Sequence, residues 1–139
     1  MNLVKKEILH SLAGAYAKEK QHWLIVFQRV IHIPFIKNHR VIRDQAVHSK
    51  YNSIYGLQAR LWKLALQDAA DTMDKYWKSL FDKIRSDIYK SILTEDQKHY
   101  AYWLLKDYAR LAEVLSLHAP EFKDLTFKLR KQAPKFPKN

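Results

Sequence analysis

Residues 57–93 read LQARLWKLALQDAADTMDKYWKSLFDKIRSDIYKSIL, and this stretch decides the fold. Its apolar side chains recur at steps of three and four, which is the pattern of an amphipathic helix. The repeating positions are Trp62, Leu66, Ala69, Met73, Tyr76, Leu80, Ile84 and Ile88. More apolar residues lie beside this stripe, so we expect the helix to contact neighbours on more than one side. With a rise of roughly 1.5 Å per residue it would span on the order of 50 Å, and the other helices are expected to lie along it.

The preceding residues 3–31 predict a first long helix with the same spacing of apolar side chains. Asn2 is suited to be its N-cap, and Pro34 is expected to stop it. Glu19 alone interrupts the stripe. The apolar positions are Val4, Ile8, Leu12, Ala15, Trp23, Val26 and Val30.

A third long helix is predicted from Thr94 to about His118, ahead of Pro120. Thr94 begins the sequence T-E-D-Q, which is a capping box in which Gln97 bonds back to the N-cap. The short link to the preceding helix predicts an antiparallel hairpin. Every tryptophan lies on or beside an apolar stripe, so all of them are expected to be largely buried. These are Trp23, Trp62, Trp77 and Trp103.

The predicted fold is therefore all-α: an antiparallel bundle of three long helices, a short basic helix from about 35 to 47 followed by a turn, and a basic C-terminal tail. The domain is expected to cover residues 1–120 and the tail 121–139. Two glycines and four prolines are too few for a sandwich with many tight turns. The absence of cysteine excludes disulfides and thiolate metal sites.

The predicted location is the cytoplasm. No apolar run reaches the length of a membrane span, so no membrane partner is expected. The first residues, MNLVKKEILHSL, lack the apolar segment and cleavage site of a secretory signal.

Charge is the strongest compositional signal, with 25 basic against 14 acidic residues and a net charge of +11. Residues 33–56 carry four basic and one acidic side chain, and residues 121–139 carry six and two. A basic excess concentrated in the least regular segments favours a surface that binds a polyanion. The alternative is a solvated basic surface with no specific partner.

In residues 34–56 basic residues are interleaved with Phe35, Tyr51 and Tyr55, a pattern suited to phosphate contact combined with base stacking. The alternative is a loop whose aromatic rings pack beneath the helices. The predicted nucleic-acid-binding residues are Lys37, Arg40, Arg43, Lys50, Tyr51, Tyr55, Arg60 and Lys63, joined in the tail by Arg130, Lys131 and Lys135.

Catalytic motifs are missing from the sequence. It contains no Gly-rich phosphate loop, no G-x-S-x-G and no H-E-x-x-H. Asp68, Asp71 and Asp74 follow each other at spacing three, but lysines alternate with them, so ion pairs on the helix surface are favoured over a metal site. No enzymatic activity, metal or cofactor is expected.

The segments YGLQARLWKLALQDAADTMDKYWKSLF (55–81) and HYAYWLL (99–105) resemble the helical recognition lobe of TnpB/OrfB-type proteins, the transposon-encoded RNA-guided nucleases related to type V CRISPR effectors. The resemblance implies a lobe that contacts a guide RNA or an RNA–DNA duplex. The matching residues are Arg60, Trp62, Lys63, Ala65, Leu66, Asp68, Ala69, Tyr76, Trp77 and Phe81.

The chain departs from that family because it has no counterpart of the nuclease carboxylates or of the Cys-rich zinc element. The resemblance therefore implies an isolated lobe that binds RNA without cutting it. Two alternatives stay open. One is a small inhibitor or decoy that meets an RNA-guided nuclease complex, and the other is a basic helical module that binds an acidic protein.

Overall fold

The structure is a computed structural model that describes residues 2–110 and residue 112. The described residues form five helices and no β-strand, which confirms the all-α prediction. The helices are α1 (Leu3–Phe27), a 3-10 helix (Val30–Phe35), α2 (Arg40–His48), α3 (Ala59–Tyr89) and α4 (Glu95–Leu104). The predicted tail and the domain boundary at residue 120 lie outside the described residues.

The long helix α3 supplies much of the described core, and α1 packs against it in the antiparallel direction. The Tyr16 hydroxyl of α1 donates a hydrogen bond to Asp68 of α3. Further along α1, the ring of Trp23 lies 5.9 Å from the ring of Trp62, at the start of α3. The buried residues of α3 are Trp62, Ala65, Leu66, Ala69, Ala70, Met73, Trp77, Leu80, Phe81, Ile84 and Ile88. Of the predicted stripe only Tyr76 is exposed.

The first helix ends earlier than predicted. It stops at Phe27 instead of continuing to residue 31, and Pro34 lies inside the following 3-10 helix rather than ending α1. The bend places Ile33 and Ile36 in the core, where both are almost fully buried. Burial of these two side chains is the physical reason for the early end, since a continued helix would carry them past the core.

The first turns of α1 also differ from the prediction. Asn2 does cap the helix, and its side chain accepts a hydrogen bond from the Val4 backbone N–H at 2.9 Å. The apolar stripe beyond it, however, is not covered, and Ile8 remains 61% exposed. The exposed apolar side chains in these turns are Leu3, Val4, Ile8, Leu9 and Leu12.

The third long helix is interrupted. The capping box at Thr94 is present as predicted, but α4 ends at Leu104 and helical conformation resumes only at residue 108. Asp107 begins the new stretch, because its side chain accepts a hydrogen bond from the Arg110 backbone N–H at 2.9 Å. Among the described residues the long helices are α1 and α3, and the predicted third helix is interrupted at residues 105–107.

Trp103, in the last turn of α4, is 42% exposed, whereas the other three tryptophans are 2–4% exposed. The prediction that all four are buried is wrong for this residue. The break after Leu104 turns the chain so that Leu105 and Tyr108 enter the core while Trp103 stays at the surface.

Candidate nucleic-acid interface

The basic excess of the described chain is concentrated between residues 33 and 63. This segment contains six basic residues and one acidic residue, whereas residues 64–110 contain eight of each. The segment covers the end of the 3-10 helix, α2, the following turn and the first turns of α3. We call residues 33–63 the basic segment.

Within the basic segment, α2 holds two arginines on its outer face. The predicted short helix is present, although it runs from Arg40 to His48 instead of from 35 to 47. Ile42 is buried beneath it. Arg40 and Arg43 are three residues apart, which places them side by side on the helix surface. Arg43 pairs with the adjacent Asp44 at 3.2 Å, the one acidic side chain of the segment.

The starts of α2 and α3 share an arrangement that does not favour their own stability. Neither N-cap residue, His39 or Gln58, makes a side-chain hydrogen bond to its first turn, and neither first turn contains an acidic residue. Instead Arg40 is the first residue of α2 and Arg60 the second of α3, and both are exposed. The start of a helix carries partial positive charge and free N–H groups. A cation there is repelled, whereas a bound anion would be attracted.

Lys50 and Lys63 lie near one cluster of aromatic rings. The Lys63 ammonium is 5.8 Å from the centre of the Trp62 ring. The Tyr51 ring, next to Lys50 in the chain, is 4.9 Å from the same Trp62 ring. Lys50 itself is exposed and has a φ of 58°, a left-handed backbone conformation that is uncommon for a lysine.

Tyr51 packs among aromatic rings of α1 and α3, which favours the packing alternative over base stacking for this residue. Its ring packs between those of Trp23, at 5.1 Å, and Trp62. Its hydroxyl donates a hydrogen bond to Glu19 at 2.7 Å. Burial, followed by the hydrogen bond and the negative charge of Glu19, raises the pKa of Tyr51 well above its usual value. The alternative of aromatic rings packed beneath the helices holds for this residue.

Glu19 is the fully buried partner that holds the turn after α2 against α1. Its carboxylate accepts hydrogen bonds from Tyr51, from the Ser53 hydroxyl at 3.1 Å and from the Trp23 indole N–H at 3.3 Å. A buried carboxylate needs such donors to offset its lost hydration. The network thereby fixes the turn that carries Lys50. The sequence signal was the single interruption of the α1 stripe, which indicated the position but not the partners.

Tyr55 is half-buried, and its backbone N–H donates to the Ser53 hydroxyl at 3.2 Å. Gly56 follows with a φ of 77° and completes the predicted turn. The nucleic-acid role of Tyr55 stays a prediction.

Lys37 lies three residues before Arg40, and its ammonium is close to the middle of α3. Its ammonium is 5.9 Å from the Tyr108 ring centre. It is also close enough to Asp74 for its charge to act on that carboxylate. Asp74 is eleven residues beyond Lys63 on α3, which corresponds to about 16 Å along the helix axis. Lys37 therefore lies beside the middle of α3, whereas Lys63 lies near the start of that helix.

Two of the three aspartates at spacing three in α3, Asp68 and Asp74, have different partners. Asp68 accepts from Tyr16, while Asp74 accepts from the Tyr108 hydroxyl at 2.6 Å and pairs with Lys78 at 2.7 Å. Burial alone would raise the pKa of Asp74, but the hydrogen bonds from Lys78 and Tyr108 and the charges of Lys78 and Lys37 lower it overall. In residues 2–110 and 112, no three His, Asp or Glu side chains are grouped as metal ligands.

The remaining predicted site residues, Arg130, Lys131 and Lys135, lie outside the described residues. No helix in the described part of the chain is both long and apolar enough to cross a membrane. Comparison with protein-family models, with curated proteins and with solved structures finds no match to this chain. The resemblance to the TnpB/OrfB lobe stays an expectation drawn from the residues.

Proposed function

We propose that the protein binds structured RNA, or an RNA–DNA duplex, through phosphate contacts made by the basic segment and without cutting it. The observation that supports this most is the pair of cationic helix starts. Arg40 and Arg60 stand where a helix prefers an anion, next to N-terminal N–H groups that no side chain caps. Phosphate oxygens would supply negative charge at each helix start and acceptors in addition to the Asn38 and Gln58 carbonyls that bond there.

The surrounding charge supports the same function. Asp44 is the single acidic side chain among residues 33–63, and it neutralises only Arg43. Lys50 is held on a turn that Glu19 anchors through Tyr51 and Ser53. Cations on anchored helices and turns lose little conformational freedom on binding. Such contacts position a nucleic-acid backbone but do not read its sequence. The preference for RNA rests on the resemblance of residues 55–81 and 99–105.

The test is the salt dependence of RNA binding by two matched charge-reversal variants. Arg40→Glu with Arg60→Glu changes the basic segment. Lys75→Glu with Lys83→Glu changes two exposed lysines of α3 and removes the same net charge. Each phosphate contact contributes about 0.7–0.9 to the slope of log affinity against log salt. We therefore expect the first variant to lose affinity and about 1.5 of slope, and the second to lose much less.

Two outcomes would contradict the proposal. If the two variants lose affinity alike, in proportion to net charge, the RNA site is not localised in the basic segment. Base changes within the RNA that alter affinity strongly would also contradict a backbone-directed site.

A second candidate function is supported by the uncovered start of α1. Leu3, Ile8 and Leu9 are more than half exposed there, with Lys5 and Lys6 beside them. An apolar stripe flanked by lysines suits a groove on an acidic protein. This is the alternative in which the protein is a basic helical module that binds an acidic protein. Ile8→Ser with Leu12→Ser should abolish that protein contact while leaving RNA affinity and the unfolding midpoint unchanged.

A further inference from the structure

A stacked group of side chains lies at the surface where α4 ends. The rings of Tyr100 and Trp103 have centroids 5.7 Å apart and planes inclined by only 17°. The guanidinium carbon of Arg110 lies 4.0 Å from the centre of the Trp103 ring. Tyr100 and Trp103 are 46% and 42% exposed. We call these three residues the surface stack.

The surface stack is held in place by the residue that interrupts the helix. One carboxylate oxygen of Asp107 accepts from the Arg110 backbone N–H at 2.9 Å, and the other pairs with the guanidinium Nε at 3.3 Å. Asp107 thus fixes Arg110 over Trp103 and neutralises its charge. An arginine paired in this way is poorly suited to a phosphate, but its planar group and the aromatic rings remain suited to stacking.

We propose that the surface stack binds an unpaired nucleobase, an inference that rests on the proposed RNA-binding function. A base is planar and uncharged, which matches aromatic and guanidinium groups whose charge is already balanced. Asp107 balances the charge of Arg110 at 3.3 Å, so the stack itself carries no net charge that would attract a phosphate. The basic segment would hold the RNA backbone, and the stack would take a base from a loop or a strand end.

This division of roles predicts a preference among RNA structures. A blunt duplex offers phosphates but no free base, so it uses the basic segment alone. A hairpin with an adenine loop offers both. The protein is therefore expected to bind the hairpin more tightly than a blunt duplex of the same charge.

Tryptophan fluorescence tests the contact directly. Trp103 is the one partly exposed tryptophan, since Trp23, Trp62 and Trp77 are 2–4% exposed. Single-stranded hexa-adenylate should quench wild-type emission, and an abasic oligomer with the same phosphates should not. In Trp103→Phe the adenine-dependent quenching should disappear. Unchanged emission with hexa-adenylate would overturn the inference that the surface stack binds a base.

Affinity measurements separate this inference from the function on which it rests. Trp103→Leu should weaken binding to the adenine-loop hairpin about tenfold and leave the blunt duplex unaffected. Tyr89→Leu, at another exposed aromatic residue, is the matched control and should change neither. Equal losses on both RNAs, or no loss on the hairpin while the duplex still binds, would overturn the stacking role alone. Failure of the wild-type protein to bind either RNA would overturn the proposed function, and the inference with it.

Discussion

The helix α4 and the helices α2 and α3 begin in opposite ways. At the start of α4 the Thr94 side chain accepts from the Gln97 backbone N–H at 3.3 Å, and the Gln97 side chain accepts from the Thr94 backbone N–H at 3.1 Å. Acidic residues fill its first turn. At the starts of α2 and α3, cations occupy the corresponding positions and no N-cap side chain bonds to the first turn.

The start of α4 is therefore stabilised by the chain itself, whereas the starts of α2 and α3 are suited to a bound ligand. Each favourable charge or cap at a helix start is worth about 0.5–1 kcal/mol. α4 obtains that stabilisation from its own residues, while α2 and α3 do without it. A bound phosphate would supply to α2 and α3 what Thr94 and its acidic neighbours supply to α4.

The largest expected effect concerns the anchor of the basic segment. Glu19→Ala removes the acceptor of three hydrogen bonds and leaves the donors of Trp23, Tyr51 and Ser53 without it. Since a hydrogen bond to a charged group is worth about 1.5–3 kcal/mol, and two of these donors are only partly buried, we expect a loss of about 3 kcal/mol. Urea unfolding measures the change.

Glu7→Ala is the control, because Glu7 is exposed on the same helix, and its effect should stay within about 0.5 kcal/mol. If Glu19→Ala costs no more than this control, the turn is not held by the carboxylate. The rigid presentation of Lys50 would then be wrong.

A pair of cap variants tests the comparison between helix starts. Gln58 has the extended backbone of an N-cap, with φ −63° and ψ 155°. Gln58→Asp should therefore add a cap and stabilise the protein by about 1 kcal/mol, whereas Thr94→Ala should destabilise it by about 1 kcal/mol. Thermal unfolding of both variants measures the two opposite shifts.

RNA affinity completes this test. Gln58→Asp should weaken RNA binding because its carboxylate occupies the helix start, and Gln58→Asn should weaken it less because it caps without charge. Thr94→Ala should leave affinity unchanged. A Gln58→Asp variant that is more stable and binds RNA as well as wild type would contradict a phosphate site at α3.

The sequence predicted correctly those helix features that depend only on neighbouring residues. The Thr94 capping box and the Asn2 cap need only neighbouring residues, and both are present. The spacing of apolar residues located α3, although its ends lie two to four residues inside the predicted ones. The cationic character of residues 33–63 was likewise visible without a structure.

The features that were missed depend on contacts distant in sequence. Tyr51 looked like a loop aromatic beside Lys50, but its partner Glu19 is 32 residues away. Asp107 lies inside the helix predicted from Thr94 to about His118, but its bond to the Arg110 N–H marks a new helix start. Because of that break, Trp103 lies at the surface and not in the core, where it was expected. A single capping residue within a stretch of periodic apolar residues is a weaker signal than the periodicity itself.

The smallest expected effect concerns Asp74, the carboxylate of α3 on which the charges of Lys78 and Lys37 act. The folded pKa of Asp74 is below its usual value of 3.8, so the unfolded chain takes up its proton first as the pH falls. The stability that Asp74 contributes is therefore present above pH 3.8 and is lost as the pH falls through the lower, folded pKa.

The unfolding midpoint of Asp74→Asn, compared with wild type over this pH range, measures that contribution. The difference between the two proteins should shrink as the pH falls below 3.8. Asp71→Asn, at an exposed residue of the same helix, is the control and should show a smaller pH dependence. A constant difference for Asp74→Asn would show that the lowered pKa does not stabilise the fold.

The most direct test of the central claim is to measure both the stability and the RNA affinity of Arg40→Glu with Arg60→Glu. Replacing cations by anions at two helix starts should raise the free energy of unfolding by about 1 kcal/mol, while RNA affinity falls and its salt slope flattens. Opposite signs are the predicted result, since they show that these arginines serve a ligand and not the fold. A variant that loses stability, or that keeps wild-type affinity and salt slope, would contradict the account.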